Sequence, residues 1–191
     1  MVINKALVVQ SFDRKPLVEV AGHQFIINPL TEQVPATSAE LLRETTKWLL
    51  SEGDFDQANK IVGEEDKGAI LVASTSLMTN LPFGMARWYP SGIQGQIMVD
   101  FKMEYAQGNL YLNGVGPEDR VILVDDMIST GGTMLALIKA VEQSRAEIID
   151  IICVAEKIGY GGVDKIVNNT GYQVKTLIRL SLDGELSQVV P

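Results

Sequence analysis

Val121-Ile122-Leu123-Val124-Asp125-Asp126-Met127-Ile128-Ser129-Thr130-Gly131-Gly132-Thr133 decides how this chain is read. Its first four residues are all apolar, as in a strand buried on both faces of a parallel sheet. Two adjacent carboxylates follow at the strand's end, where they can accept hydrogen bonds from a vicinal diol or help hold a hydrated divalent cation. Ser129 to Thr133 then combine hydroxyls with glycine and open a helix. Backbone N–H groups at such a start, with the helix dipole behind them, cradle an anion. Glycine lets the chain approach a phosphate that a side chain would obstruct. A diol and a phosphate met by one loop point to a ribose 5-phosphate. The loop is not a P-loop, since no Gly-Lys-Ser/Thr follows at the required spacing, and it lacks the Gly-x-Gly-x-x-Gly of dinucleotide sites.

Outward from this loop the chain alternates strand and helix. Toward the C-terminus, Met134, Leu137, Ile138 and Val141 trace a helix face, Ile148 to Ala155 is an apolar strand, residues 162–169 are helical and Val174 to Leu182 is a last strand. Toward the N-terminus, Pro82 to Trp88 is a strand, residues 69–79 are helical and Lys60 to Gly63 is a short strand. Residues 97–112 differ: Ile97, Val99, Phe101, Met103 and Tyr105 alternate with polar neighbours, Gln107-Gly108-Asn109 supplies a turn, and Leu110 and Leu112 return. This is a hairpin inserted between α/β units. Thr37 to Glu40 has capping-box spacing ahead of a helix, and residues 17–28 form a small hairpin around Ala21-Gly22-His23. The expected fold is α/β, an open, mostly parallel twisted sheet flanked by helices, as one domain over 1–191. Ligands on such sheets sit at the carboxyl ends of the strands.

Composition narrows the chemistry. With 16 Lys+Arg against 24 Asp+Glu, the net charge is −8. That argues against unspecific binding to nucleic acid or an anionic membrane, and requires any anionic substrate to be held by a local arrangement. One histidine, His23, and one cysteine, Cys153, exclude an intrachain disulfide and a zinc site of the Cys/His-pair kind. No apolar run approaches the ~20 residues that span a bilayer. The start has no cleavage signal, and Cys153 sits in an apolar run, so the expected compartment is the cytoplasm. Trp48 and Cys153 read as core, and His23 as an exposed turn residue.

The 121–133 stretch resembles the signature of the type I phosphoribosyltransferases, an apolar strand, two acids and a Thr-Gly loop. Other pieces extend the likeness over about residues 25–182. Ile61 to Gly68 is similar to the family's pyrophosphate loop, and Leu81 to Arg87 to the strand after it. Glu156-Lys157 resembles the Glu-Lys of xanthine- and hypoxanthine-type enzymes, and Gly171 to Leu177 their last strand. The resemblance makes residues 17–36 a small N-terminal hood and residues 89–112 a mobile hairpin that closes over the substrate.

It implies transfer of the 5-phosphoribosyl group of 5-phosphoribosyl-1-pyrophosphate (PRPP) to a purine, with Mg²⁺ as cofactor and a homodimer as the assembly. Asp125 and Asp126 would bind the ribose hydroxyls, stabilise the charged transition state and hold the metal, directly or through water. Met127, Ile128, Ser129, Thr130, Gly131, Gly132 and Thr133 would complete the PRPP site, with Ile128 also beside the base. Lys67, Gly68 and Arg87 would take the pyrophosphate. Two substitutions depart from the family pattern: Lys67 stands where an arginine is usual, and Trp88 replaces a second basic residue. Ser129 stands where some 6-oxopurine enzymes carry an acid, which makes Glu104 on the hairpin the acid/base candidate; its other reading is a solvated glutamate. Lys157 either donates to a purine 6-oxo group, favouring 6-oxopurines over adenine, or pairs with Glu156 at the surface. Phe25 either covers the base or packs inside the hood. A PRPP-binding regulator without turnover and an orotate phosphoribosyltransferase are the alternative functions.

Overall fold

The computed structural model describes residues 2–20, 22–102 and 107–191. The chain runs α1 (Lys5–Phe12), β1 (Leu17–Val20), β2 (His23–Ile26), α2 (Ala39–Glu52), β3 (Lys60–Glu64), α3 (Ala69–Thr79), β4 (Phe83–Ala86), β5 (Ile97–Lys102), β6 (Gln107–Leu112), β7 (Arg120–Ile128), α4 (Gly132–Gln143), β8 (Glu147–Lys157), α5 (Gly162–Thr170), β9 (Lys175–Ser181) and β10 (Gln188–Val190). The central sheet has the order β10-β9-β8-β7-β3-β4 and is parallel apart from the antiparallel β10. This is the expected open α/β sheet.

Period-two alternation along the central strands builds a core on each face. On β7, Ile122 and Val124 join Leu49, Leu71 and Val72 in the layer under α1, α2 and α3. Val121 and Leu123 face the other way, into a layer with Leu137, Ile138 and Ile166 of α4 and α5. On β8, Ile152 and Val154 serve the first layer, Ile151 and Cys153 the second. Cys153 is fully buried and pairs in register with Asp125. Trp48 is core as well, only 8% exposed.

Several local expectations shift. Helix α2 is capped by Ser38, whose side chain accepts from the Leu41 N–H at 3.1 Å, one residue later than the capping-box spacing suggests. Thr37 instead donates its hydroxyl to the Pro29 carbonyl. His23 is a half-buried strand residue opposite Val20, not an exposed turn residue. Gln107-Gly108-Asn109 is strand, not turn: the register pairs Gln107 with Lys102, Gly108 with Phe101 and Asn109 with Asp100. Residues 103–106, and Glu104 with them, lie outside the described residues. The inner half of this hairpin is anchored, because Val99, Leu110 and Leu112 are buried against α4. Helix α1 and strand β10 were not anticipated. They are tied together by Ser187, which accepts from the Lys15 N–H at 2.9 Å and donates to the Phe12 carbonyl at 2.6 Å.

Candidate active site

The carboxyl ends of β3, β7 and β8 converge under the β1–β2 hairpin on one cleft of about 140 Å³. β7 continues through Asp125 and Asp126 to Ile128, so the acid pair lies inside the strand and not after it. This makes the pair rigid and dry: Asp125 is 4% and Asp126 6% exposed. The loop Ser129-Thr130-Gly131 then turns into α4. Gly131 has φ +77°, and a Cβ there would meet the Gly162 carbonyl oxygen at 2.8 Å; a Cβ on Gly162 would in turn meet the Ser129 carbonyl. Only glycine fits this crossing of the loop and the start of α5.

Glu64, at the end of β3, joins the acid pair from the neighbouring strand and is 5% exposed. Its carboxylate accepts from the Asp66 N–H at 2.9 Å and the Gly68 N–H at 3.2 Å, fixing the 65–68 loop. Gly68 packs directly on the acid pair, since a Cβ there would meet Asp125 Oδ1 at 2.5 Å. Burial, together with the other carboxylates, pushes all three acids up. Asp125 is raised well above the ordinary range by burial first, then by Asp126 and Glu64. Burial raises Asp126 to about 7, against the pull of the Lys67 ammonium. Burial also raises Glu64, against its two backbone hydrogen bonds. Asp126 Oδ2 is buried with no hydrogen-bond partner among the described residues.

Two lysines face these acids. Lys67 forms an ion pair with Glu32 of the hood and lies 5.1 Å from the centre of the Phe25 ring. Lys157, at the end of β8, donates to the Gln24 carbonyl at 2.8 Å and lies 5.4 Å from the same ring. Glu156 is bound to Arg179 at 2.9 Å, and Lys157 lines the cleft. Phe25 lines the cleft as well.

The structure therefore brings together Asp125 to Thr133, Lys67, Phe25 and Lys157, with Gly68 immediately behind Asp125. It does not bring Arg87 to this wall. That residue is exposed, bridged through its backbone to Tyr111, with its guanidinium 5.9 Å from the Tyr89 ring. Trp88, the other departure, does line the cleft; its N–H donates to Glu65 at 2.9 Å and its ring meets Phe101 at 4.6 Å. Thr31, Glu32, Glu64, Asp66 and Met134 also line the cleft and were not singled out from sequence. Glu64 and Asp66 stood in a stretch already marked. Glu32 meets Lys67 across 35 positions, which no local pattern announces.

Chemically the cleft offers a buried acid pair, a glycine-rich helix start and two ammonium groups. Residues 109–175 match the family described as "Phosphoribosyl transferase domain". The chain is 42% identical over 173 residues to the hypoxanthine/guanine phosphoribosyltransferase of Methanocaldococcus vulcanius, covering 90% of this chain and 93% of that one. It is 38% identical over 181 residues to the protein of the same name from Methanocella arvoryzae, covering 95% and 93%. Among solved structures, adenine phosphoribosyltransferase from Rhodothermus marinus shares 25% identity at a TM-score of 0.77, covering 93% of this chain and all of that one. Identity of this order along nearly the whole length, together with the buried Asp125-Asp126 pair and its Thr-Gly loop, means that the chain is an enzyme of the type I phosphoribosyltransferase family, in its purine branch.

Proposed function

We propose that the protein forms purine nucleoside monophosphates from PRPP, taking 6-oxopurines in preference to adenine. The observation that carries this reading is the meeting of the Asp125–Thr133 segment with Lys67 and Lys157 in one cleft. The relatives' names, hypoxanthine/guanine phosphoribosyltransferase, support the base preference. A purine ring nitrogen attacks the anomeric carbon, the bond from that carbon to pyrophosphate breaks with its electrons leaving on the pyrophosphate oxygen, and the nitrogen's proton passes to that pyrophosphate or to water. Positive charge develops on the ribose as the bond breaks. Asp125 and Asp126, held below the ribose hydroxyls, stabilise that charge in a site with little water to screen it. Backbone N–H groups of the 129–133 loop, at the start of α4, receive the 5-phosphate. Lys67 meets the pyrophosphate, and Lys157 donates to the base's 6-oxo group above Phe25 and Ile128. Arg87 would have to swing from its present position to take part.

The acid pair suits Mg²⁺. Its ligands are hard oxygens, and Asp126 Oδ2 is buried and unpartnered. Among the described residues no group of three acidic, histidine or cysteine side chains is placed to hold a cation, so Asp125 and Asp126 would share the ion with water and substrate oxygens. When bound, Mg²⁺ neutralises charge on the leaving pyrophosphate. A homodimer is supported by exposed Leu77, Met78 and Phe83, where α3 leads into the edge strand β4. A cytoplasmic setting agrees with the absence, among the described residues, of a helix long and apolar enough to cross a membrane.

The deciding experiment offers hypoxanthine, guanine, xanthine, adenine and orotate separately with PRPP and Mg²⁺, and follows nucleotide product. Hypoxanthine or guanine should react fastest. Lys157→Ala should lower kcat/KM for 6-oxopurines at least about tenfold more than for adenine, the scale of a lost charged hydrogen bond. Equal losses would remove Lys157 from base recognition, and no product from any base would favour a PRPP-binding regulator.

A further inference from the structure

The hood is tied to the cleft through the cleft's own cations. Among the described residues that line it, Lys67 and Lys157 are the cationic ones, and β2 and the loop after it engage both. Lys157 is bound to the Gln24 carbonyl, both ammonium groups lie by the Phe25 ring, and Lys67 is paired with Glu32. The Glu32 carboxylate thus occupies the charge that phosphoribosyl transfer requires for pyrophosphate. The pair is shielded, its side chains 30% and 26% exposed, so solvent screens it less than a surface pair.

Space argues the same way. The cleft's 140 Å³ falls below the ~300–1,000 Å³ usual for small-molecule sites, and Glu32 is part of its lining. The backbone carrying Glu32 is held in place: Asn28 Oδ1 accepts from the Leu30 and Thr31 N–H groups at 2.8 and 2.9 Å, and Thr37 is bound to the Pro29 carbonyl. Release of Lys67 is therefore a rotation of the Glu32 side chain between rotamers, with the turn intact. Asp66 and Asp126 remain near the ammonium when Glu32 leaves.

We propose that Glu32 is an internal competitor for the pyrophosphate end of the substrate: its carboxylate holds Lys67 in the ligand-free enzyme, is displaced when PRPP binds, and returns as pyrophosphate departs. The proposal rests on the phosphoribosyl-transfer reading above. It makes Glu32 a residue that tunes affinity through Lys67, without touching the reacting atoms.

Calorimetric titration with inorganic pyrophosphate and Mg²⁺ tests it. Glu32→Gln should bind pyrophosphate about three- to tenfold more tightly than wild type, with a similar fall in KM for PRPP and no rise in kcat. In a Lys67→Gln background the same substitution should change affinity by less than about twofold, because the contested cation is gone. Glu32→Asp, still anionic but one methylene shorter, should shift affinity the same way by a smaller factor, and serves as the second variant if the first does not fold. Unchanged or weaker pyrophosphate binding in these variants overturns the proposal. So does an equal gain with and without Lys67, which would reduce Glu32 to part of the general acidic field. Nucleotide formation by wild type is measured on the same preparation. Its failure with every base counts against the reaction, whereas an active wild type with an unaltered Glu32→Gln counts against Glu32 alone.

Discussion

Asp126 illustrates a conflict between stability and chemistry at the level of one side chain. Water would solvate its carboxylate, but β7 buries it beside Asp125 and Glu64, with Lys67 as the nearby counter-charge. Its carboxyl is raised from the ordinary 3.8 to about 7. Over that interval the folded chain keeps a proton that the unfolded chain has released. This contribution to stability is therefore complete below the unfolded value and is lost as pH rises through about 7. Ligand-free protein should melt at a higher temperature at pH 6 than at pH 8, and Asp126→Asn should flatten that dependence by raising the melting temperature at pH 8. The same variant should lose about 10²–10³-fold in nucleotide formation, the usual scale for removing a transition-state electrostatic group. Thermal melts beside product assays check both halves; a variant that melts lower at pH 8 would contradict the argument.

The turn from β7 into α4 shows what an element owes to a neighbour distant in sequence. Gly131 needs its positive φ, and the loop it shapes lies against Gly162 at the start of α5. Gly131→Ala should cost about 1–3 kcal/mol in chemical denaturation, from backbone strain with the added clash, and should raise KM for PRPP. If stability and KM are both unaltered, the loop's packing on α5 is dispensable. The glycine-rich pattern was legible because its residue types serve a backbone need; the reason for Gly131, a carbonyl thirty-one positions away, was not. Helix α3 spans the expected residues 69–79, bounded by Gly68 and by Asn80 in a left-handed conformation. The reversal of the inserted hairpin was misplaced because Gly108-Asn109 resembles a turn, whereas cross-strand pairing decides where the chain folds back. Helix α1 leaves no signature in the sequence, because its apolar residues form a run and no periodic face. It gains order by docking on α2, where Glu44 accepts the Asn4 N–H at 2.7 Å.

At the scale of the molecule, strand–helix alternation and buried apolar runs make the sheet, and the strand ends that line the cleft, legible in the sequence. The charge balance was legible only as a total. The net −8 is felt at the cleft, where Glu32, Glu64, Asp66, Asp125 and Asp126 outnumber Lys67 and Lys157. Pairings such as Lys67 with Glu32 depend on how the hood settles on the sheet, and that is a tertiary outcome. The partner of Asp125 on β8 carries a different consequence. Cys153 is the chain's single thiol, fully enclosed, and burial pushes its pKa well above the ordinary range. Its side chain lies in the layer covered by α4 and α5, so an alkylating reagent reaches it only when that layer opens, and its labelling rate counts openings of the protein. Saturating pyrophosphate with Mg²⁺ should slow labelling by about the factor 1 + [L]/Kd, read by mass spectrometry, and labelling at the rate of a free cysteine would show that the helix layer offers no such barrier. Unaltered wild-type enzyme thus carries its own chemical recorder of site occupancy, one strand away from Asp125 and Asp126.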